Sequence, residues 1–86
     1  MDVTLKQLRY FVAVAHDLSF TRAAGRLHIS QPTLSVQIGN LERQIGAELF
    51  NRTSRTVELT AAGRGLHDDA RRLLAALEQA GERARR

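Results

Sequence analysis

His28 and Ile29 are all that separate one short helix-patterned segment from the opening of the next. On the near side, "SFTRAAGRL" (Ser19 to Leu27) puts Phe20, Ala23, Ala24 and Leu27 on one face, the three-and-four spacing of an amphipathic helix. Ser19 or Thr21 can supply its N-cap oxygen. On the far side, Ser30 is a cap residue and Pro32 follows in the first turn, where a missing N–H costs nothing. Leu34, Ile38, Leu41 and Ile45 then recur every three or four residues, a single apolar stripe. Gly46 supplies the left-handed residue that ends such a helix. So short a gap leaves no room for another element. The two helices must turn sharply on each other, with Ala23 and Ala24 small enough for close approach, which makes a helix-turn-helix unit.

The rest of the chain surrounds that unit. Upstream, "TLKQLRYFVAVAHD" pairs Thr4 with Gln7 as a capping box and repeats Leu5, Leu8, Phe11, Val12 and Ala15 at helical spacing. This predicts a helix from Leu5 to about His16. Downstream, Leu49 and Phe50 lead into the polar run "NRTSRT", after which Val57 and Leu59 alternate around Glu58. That pattern predicts a two-stranded hairpin with its tip around Thr53 to Arg55. Thr60 then caps a last helix in which Leu66, Ala70, Leu73, Leu77, Ala80 and Ala84 form a coiled-coil-like seam. Asp68 with Arg72, and Glu82 with Arg86, stand in the favourable i,i+4 order. Gly63, Gly65 and Gly81 are expected to weaken the two ends of that helix, and Gly25 the interior of the second. The fold class expected is mainly α: a winged helix-turn-helix of three helices and a short two-stranded wing over residues 1–60, then a long linker or dimerisation helix over 61–86.

Composition narrows the function classes. With 86 residues, 43% hydrophobic and 26% charged, the chain has the balance of one small folded domain that association would help to stabilise. No apolar run approaches the ~18 residues of a membrane span, and no signal segment opens the chain. The absence of cysteine excludes disulfides and thiolate metal sites and fits a reducing, cytoplasmic setting. His16, His28 and His67 lack ligand spacing, and Asp68 and Asp69 are helix neighbours that point apart. Neither a catalytic constellation, a metal site nor a cofactor motif is present, so an enzyme is not expected. "NRT" at Asn51 matches a glycosylation acceptor by chance.

The functional signal lies on the third helix. At about 100° per residue, Pro32, Val36, Gly39 and Arg43 point away from the apolar stripe, with Thr33 and Asn40 on one flank and Ser35 on the other. The outward face is thus uncharged and hydrogen-bonding for its first two turns. A solvated helix more often carries Lys and Glu there, whereas a helix lying against base edges needs small residues, amides and hydroxyls. Gln bonds bidentately to adenine, Ser and Thr pair with several edges, and an apolar group sits on a thymine methyl. The plainer reading is that Ser30 and Gln31 only cap the helix and Val36 is a stray exposed valine, which is common. Arginines weigh against it. Arg22 lies in the first turn of the second helix, Arg52 and Arg55 lie in the wing, and Lys6 and Arg9 lie on the first helix, all able to meet phosphate or the minor groove. The net charge of +4 matters less than this placement. The N–H groups near Thr21 and Ser30 also offer phosphate sites. Arg26 and Arg43 are read as solvated charges.

Three runs, "SFTRAAGRLHISQPTLS", "LERQIGAELFNR" and "LTAAG", carry a strong resemblance to the N-terminal DNA-binding domain of LysR-type transcriptional regulators. The likeness extends over nearly the whole chain. It implies a winged helix-turn-helix followed by a linker helix that pairs antiparallel with its twin, giving a homodimer on double-stranded operator DNA. By that resemblance Gln31, Pro32, Thr33 and Ser35 lie where the family reads bases, and Arg52 lies in the wing. Two residues depart from the family pattern: Val36 stands where many members carry a long polar or basic residue, and Gly25 where glutamate is common. Full-length members also carry an effector-binding domain, so this chain is expected to end in the linker helix and to bind DNA without sensing a small-molecule effector. The site expected is therefore Thr21, Arg22, Ser30, Gln31, Pro32, Thr33, Ser35, Val36, Arg52 and Arg55 for DNA, and Leu66, Ala70, Leu73, Leu77 and Ala80 for the dimer. Burial of part of that seam, around Leu66, against the chain's own first helix is the competing use of the face. The alternative function is a helical dimerisation or protein-interaction module that never touches DNA, which explains the seam and ignores the wing arginines.

Overall fold

The computed structural model describes residues 1–53 and 55–86. In chain order it contains α1 (Leu5–Asp17), α2 (Phe20–Leu27), α3 (Gln31–Ile45), β1 (Phe50–Arg52), β2 (Val57–Leu59) and α4 (Ala61–Arg85). Each helix starts where a side-chain oxygen meets an otherwise unpaired N–H. Thr4 accepts from Gln7 N, and the Gln7 amide answers the Thr4 N–H, completing the capping box. Ser19, not Thr21, caps α2, Ser30 caps α3 and Thr60 caps α4. The first three helices end on left-handed residues. Gly46 takes that conformation freely, but Leu18 (φ 47°) and His28 (φ 58°) adopt it with a Cβ, at a cost of about 1–2 kcal/mol each. His28 thereby starts the turn between α2 and α3, and nothing in its residue type announces this.

α1 packs against α2, α3 and α4. Phe11, Val14, Leu34, Ile38, Leu41 and Leu49 are fully buried, each worth about 1.5–3 kcal/mol in apolar transfer. The α3 stripe points into this core except at its end, where Ile45 is half-buried. β1 and β2 pair antiparallel with Phe50 opposite Leu59, Asn51 opposite Glu58 and Arg52 opposite Val57. Phe50 anchors the hairpin, its ring centroid 5.4 Å from that of Phe11 and 5.8 Å from that of Phe20. Thr53 closes the wing by exchanging hydrogen bonds with Thr56. Of the tip expected at Thr53 to Arg55, Ser54 lies outside the described residues.

Two expectations for α4 need correction. Gly63 does not merely weaken the helix: a Cβ there would stand 2.1 Å from the Leu49 carbonyl oxygen, so its absence is what lets α4 seat on the segment entering β1. The Thr60 hydroxyl fastens the same join by donating to the Glu48 carbonyl at 2.7 Å. The surface ion pairs also differ. Arg72 bonds Asp69 at 2.6 Å rather than Asp68, and Glu82 bonds Arg85 rather than Arg86. Residues three apart are as close on a helix as residues four apart, and Arg86 lies beyond the last helical residue.

Candidate nucleic-acid interface

α3 presents its first two turns to solvent. Ser30 Oγ accepts from Thr33 N at 3.1 Å and donates to Thr33 Oγ1 at 2.7 Å. Gln31 Nε2 donates to Ser35 Oγ at 3.1 Å, which lays the Gln31 amide along the helix rather than out into water. Gln31, Pro32 and Thr33 are exposed, Ser35 is half-buried, and Val36 is 59% exposed. No charged side chain occurs from Gln31 to Leu41. The face is therefore a small, neutral surface on which Ser30 bonds Thr33 and Gln31 bonds Ser35, bonds that can be exchanged for an external partner.

A cleft adjoins this face where the starts of α2 and α3 meet the wing. Its lining includes Thr21, Arg22, Gln31, Arg52 and Arg55, so side chains from three separate parts of the sequence converge on one concavity. Thr21 is exposed in the first turn of α2. Arg22 extends from that turn and donates to the Asp17 carbonyl at 3.3 Å. Arg55 lies in the connection between the two strands and uses its backbone N–H on Thr53 Oγ1.

Arg52 is held differently. Its guanidinium carbon lies 4.2 Å from the Phe20 ring centroid, and its Nη2 is 3.6 Å from Glu42 Oε1, leaving the side chain 37% exposed. Glu42 also accepts from the N–H of Leu49 at 2.8 Å. Sequence reasoning missed Glu42. The signal was available, because it is the lone acid between Asp17 and Glu48, in a chain segment otherwise kept free of negative charge.

The other basic residues do not reach the cleft. Lys6 sits 5.7 Å from the Tyr10 ring centroid on α1. Arg9 lines a separate groove between α1 and α4. Arg26 is paired with Asp17 at 2.9 Å, and Arg43 bonds Asn40.

The α4 seam divides. Leu66 packs against the core, and Ala70 is fully buried within it. Ala70 is thus used by the chain's own fold and offers no surface to a second chain. This corrects its place among the residues expected at the dimer face. Leu73 (55% exposed), Leu77 (40%) and Ala80 remain on the surface. Among the described residues no group of three or more His, Cys, Asp or Glu side chains could hold a metal ion, and no helix is long and apolar enough to cross a membrane.

Comparison with known proteins agrees with this architecture. Residues 5–64 match the family model for the bacterial regulatory helix-turn-helix protein, lysR family. The chain is 56% identical over its full length to the uncharacterized HTH-type transcriptional regulator YnfL of Escherichia coli (strain K12), spanning 29% of that relative. It is 58% identical over 93% of its length to the HTH-type transcriptional regulator TfdT of Cupriavidus pinatubonensis, spanning 35% of it. Thus it covers about a third of the length of these curated relatives. Among solved structures, the BenM_DBD/catB site 1 DNA complex superposes with a TM-score of 0.93 at 43% identity, over 96% of this chain and 92% of that one. The four-helix arrangement with its two-stranded hairpin is accordingly a winged helix-turn-helix, and the chain belongs to the lysR family of bacterial regulatory helix-turn-helix proteins.

Proposed function

We propose that the chain is the sequence-specific, double-stranded DNA-binding part of a transcriptional regulator. The observation that carries this is the convergence of Thr21, Arg22, Gln31 and Arg55 around one cleft beside an uncharged α3 face, with Arg52 in the cleft wall. The likeness to a chain solved on DNA supports it. In this reading the N-terminal turns of α3 enter the major groove. Gln31 exchanges its bond to Ser35 for a bidentate pair with adenine, a contact worth about 1–3 kcal/mol of discrimination. Thr33 and Ser35 address neighbouring base edges, and Val36 lies over a thymine methyl. The helix N-termini at Ser30 and Thr21 meet the sugar-phosphate backbone, and Pro32 lies with Gln31 against the bases. Arg22 meets phosphate, and the wing with Arg55 lies on the adjacent minor groove or backbone.

Residues 1–60 form the DNA-reading unit and 61–86 the linker helix in this proposal, with the first turns of α4 shared between them through Gly63 and Ala70. Two copies associate through Leu73, Leu77 and Ala80, whose exposure supports the arrangement. A two-fold dimer reads an inverted repeat. The site of action is then the nucleoid in the cytoplasm. Selection of bound duplexes from a random DNA pool, followed by fluorescence-anisotropy titration, tests the reading. A recurrent inverted repeat bound at least about a thousandfold better than unrelated duplexes is the expected result. Equal, weak binding to all duplexes would sink it.

A further inference from the structure

Arg52 ends β1, yet its guanidinium is already engaged inside the protein. It stacks on Phe20, the first residue of α2, and faces Glu42, which belongs to α3. The planar guanidinium suits this pose, since it can lie flat on a ring while an edge meets a carboxylate. Glu42 does two things at once. Its Oε1 faces Arg52, while its Oε2 accepts from the N–H groups of Leu49 (2.8 Å) and Phe50 (3.4 Å) where the chain enters β1. Such charge-assisted bonds are shorter and stronger than neutral ones, and the Glu42 side chain is only 16% exposed. One carboxylate and one guanidinium therefore tie the start of α2, the end of α3 and the base of the wing together. Arg55, by contrast, has no side-chain partner among the described residues, only a backbone N–H bond to Thr53.

The geometry points to Glu42 as a positioning residue for DNA recognition that acts through Arg52. This rests on the DNA-binding reading above. Glu42 holds the Arg52 charge against Phe20 and off the phosphates, and so fixes the angle between the wing and α3. Arg55 is left as the wing cation that meets the nucleic acid. Without Glu42, the wing loses its brace and Arg52 becomes one more sequence-blind phosphate contact.

The test is Glu42→Gln, which keeps an oxygen for the Leu49 N–H but removes the charge facing Arg52. Affinities are measured across a salt series for a duplex selected by the wild-type chain and for an unrelated duplex of equal length. On the unrelated duplex the log–log salt slope is expected to steepen by about one, the signature of one more neutralised phosphate. Preference for the selected duplex is expected to fall about tenfold. In an Arg52→Ala background the same Glu42→Gln change should move neither quantity. Unchanged slope and preference in the single variant, or an undiminished effect without Arg52, would overturn the inference. Should Glu42→Gln melt out, NMR of the wild-type chain decides instead. The Arg52 Nε–H resonance should be ring-current shifted by Phe20 and distinct from that of Arg55, and coincident, solvent-averaged signals for both overturn the inference. A wild-type chain that fails to discriminate between duplexes counts against the DNA-binding reading itself, while the NMR result still judges the Glu42–Arg52 brace.

Discussion

Val36 on α3 and Leu73 on α4 are almost equally exposed, at 59% and 55%, and the two helices put them to different uses. One turn to either side of Val36 lie Pro32, Thr33, Gly39 and Asn40, all uncharged. Leu34, Ile38 and Leu41 of the same helix are taken up by the chain's own core. Leu73 instead continues the line of Leu66 and Ala70 outward from the core, towards Leu77 and Ala80, with the Asp69–Arg72 pair beside it. A lone apolar side chain among hydrogen-bonding groups suits a polar partner with an occasional methyl group. An apolar line running off the end of a packed surface suits a second helix. Exposure alone does not separate the two cases, but the neighbours along each helix do.

That contrast depends on α4 being anchored at one end, and the most forceful way to break it is to unseat that end. Gly63→Ala is expected to destabilise the chain by about 3 kcal/mol, because the new methyl meets backbone rather than a side chain that can move aside. Thermal unfolding followed by circular dichroism measures this. A variant that melts at or above the wild-type temperature would mean that α4 does not sit on Leu49 as described.

Leu73→Asp comes next in size and addresses the outer part of the seam. It should leave the folding of the chain within about 0.5 kcal/mol of wild type, since the site is exposed. It should also weaken self-association by about 2 kcal/mol, the transfer value of one leucine, and lower DNA affinity with it. Sedimentation equilibrium beside anisotropy reads both. Retained association would place the dimer contact elsewhere than on Leu73 and Leu77.

The elements that could be read from sequence are those fixed by nearest neighbours. The Thr4–Gln7 capping box, the Ser30 cap with Pro32, the Gly46 stop and the α3 stripe are each decided within one or two turns of chain, and the structure reproduces them. What escaped depends on residues distant in sequence. Gly63 reads as a weak helix former until Leu49 is placed against it. Ala70 reads as one more seam position until the core closes over it. Arg52 reads as a free wing cation until Phe20, far back in the chain, slides beneath it and Glu42 faces it. His28 shows that even a local feature hides when an unusual residue type carries it: the turn was legible, its left-handed residue was not.

Val36→Arg sharpens the α3 side of the comparison. If Val36 faces bases, arginine there should move one position of each half-site towards G·C by about 1.5 kcal/mol, through bidentate contact with guanine O6 and N7. Repeating the duplex selection with the variant reveals it. An unaltered consensus, with only a general gain in affinity and a steeper salt dependence, would mean that position 36 lies over the backbone rather than the bases.

The smallest effect separates the two roles of glycine within α4. Gly65 sits two residues beyond Gly63 in the same helix, but a Cβ at Gly65 has nothing within 4 Å, while one at Gly63 collides with Leu49. Gly65→Ala should therefore stabilise the chain by about 0.5–1 kcal/mol, the ordinary helix-propensity difference with no packing term to oppose it. The opposite sign at two sites of the same residue type would show that close approach, not flexibility, is what Gly63 provides. Destabilisation at Gly65 measured only at concentrations where the chain self-associates, and absent in the dilute monomer, would instead place a second chain against that face of α4 and extend the dimer contact back towards the core.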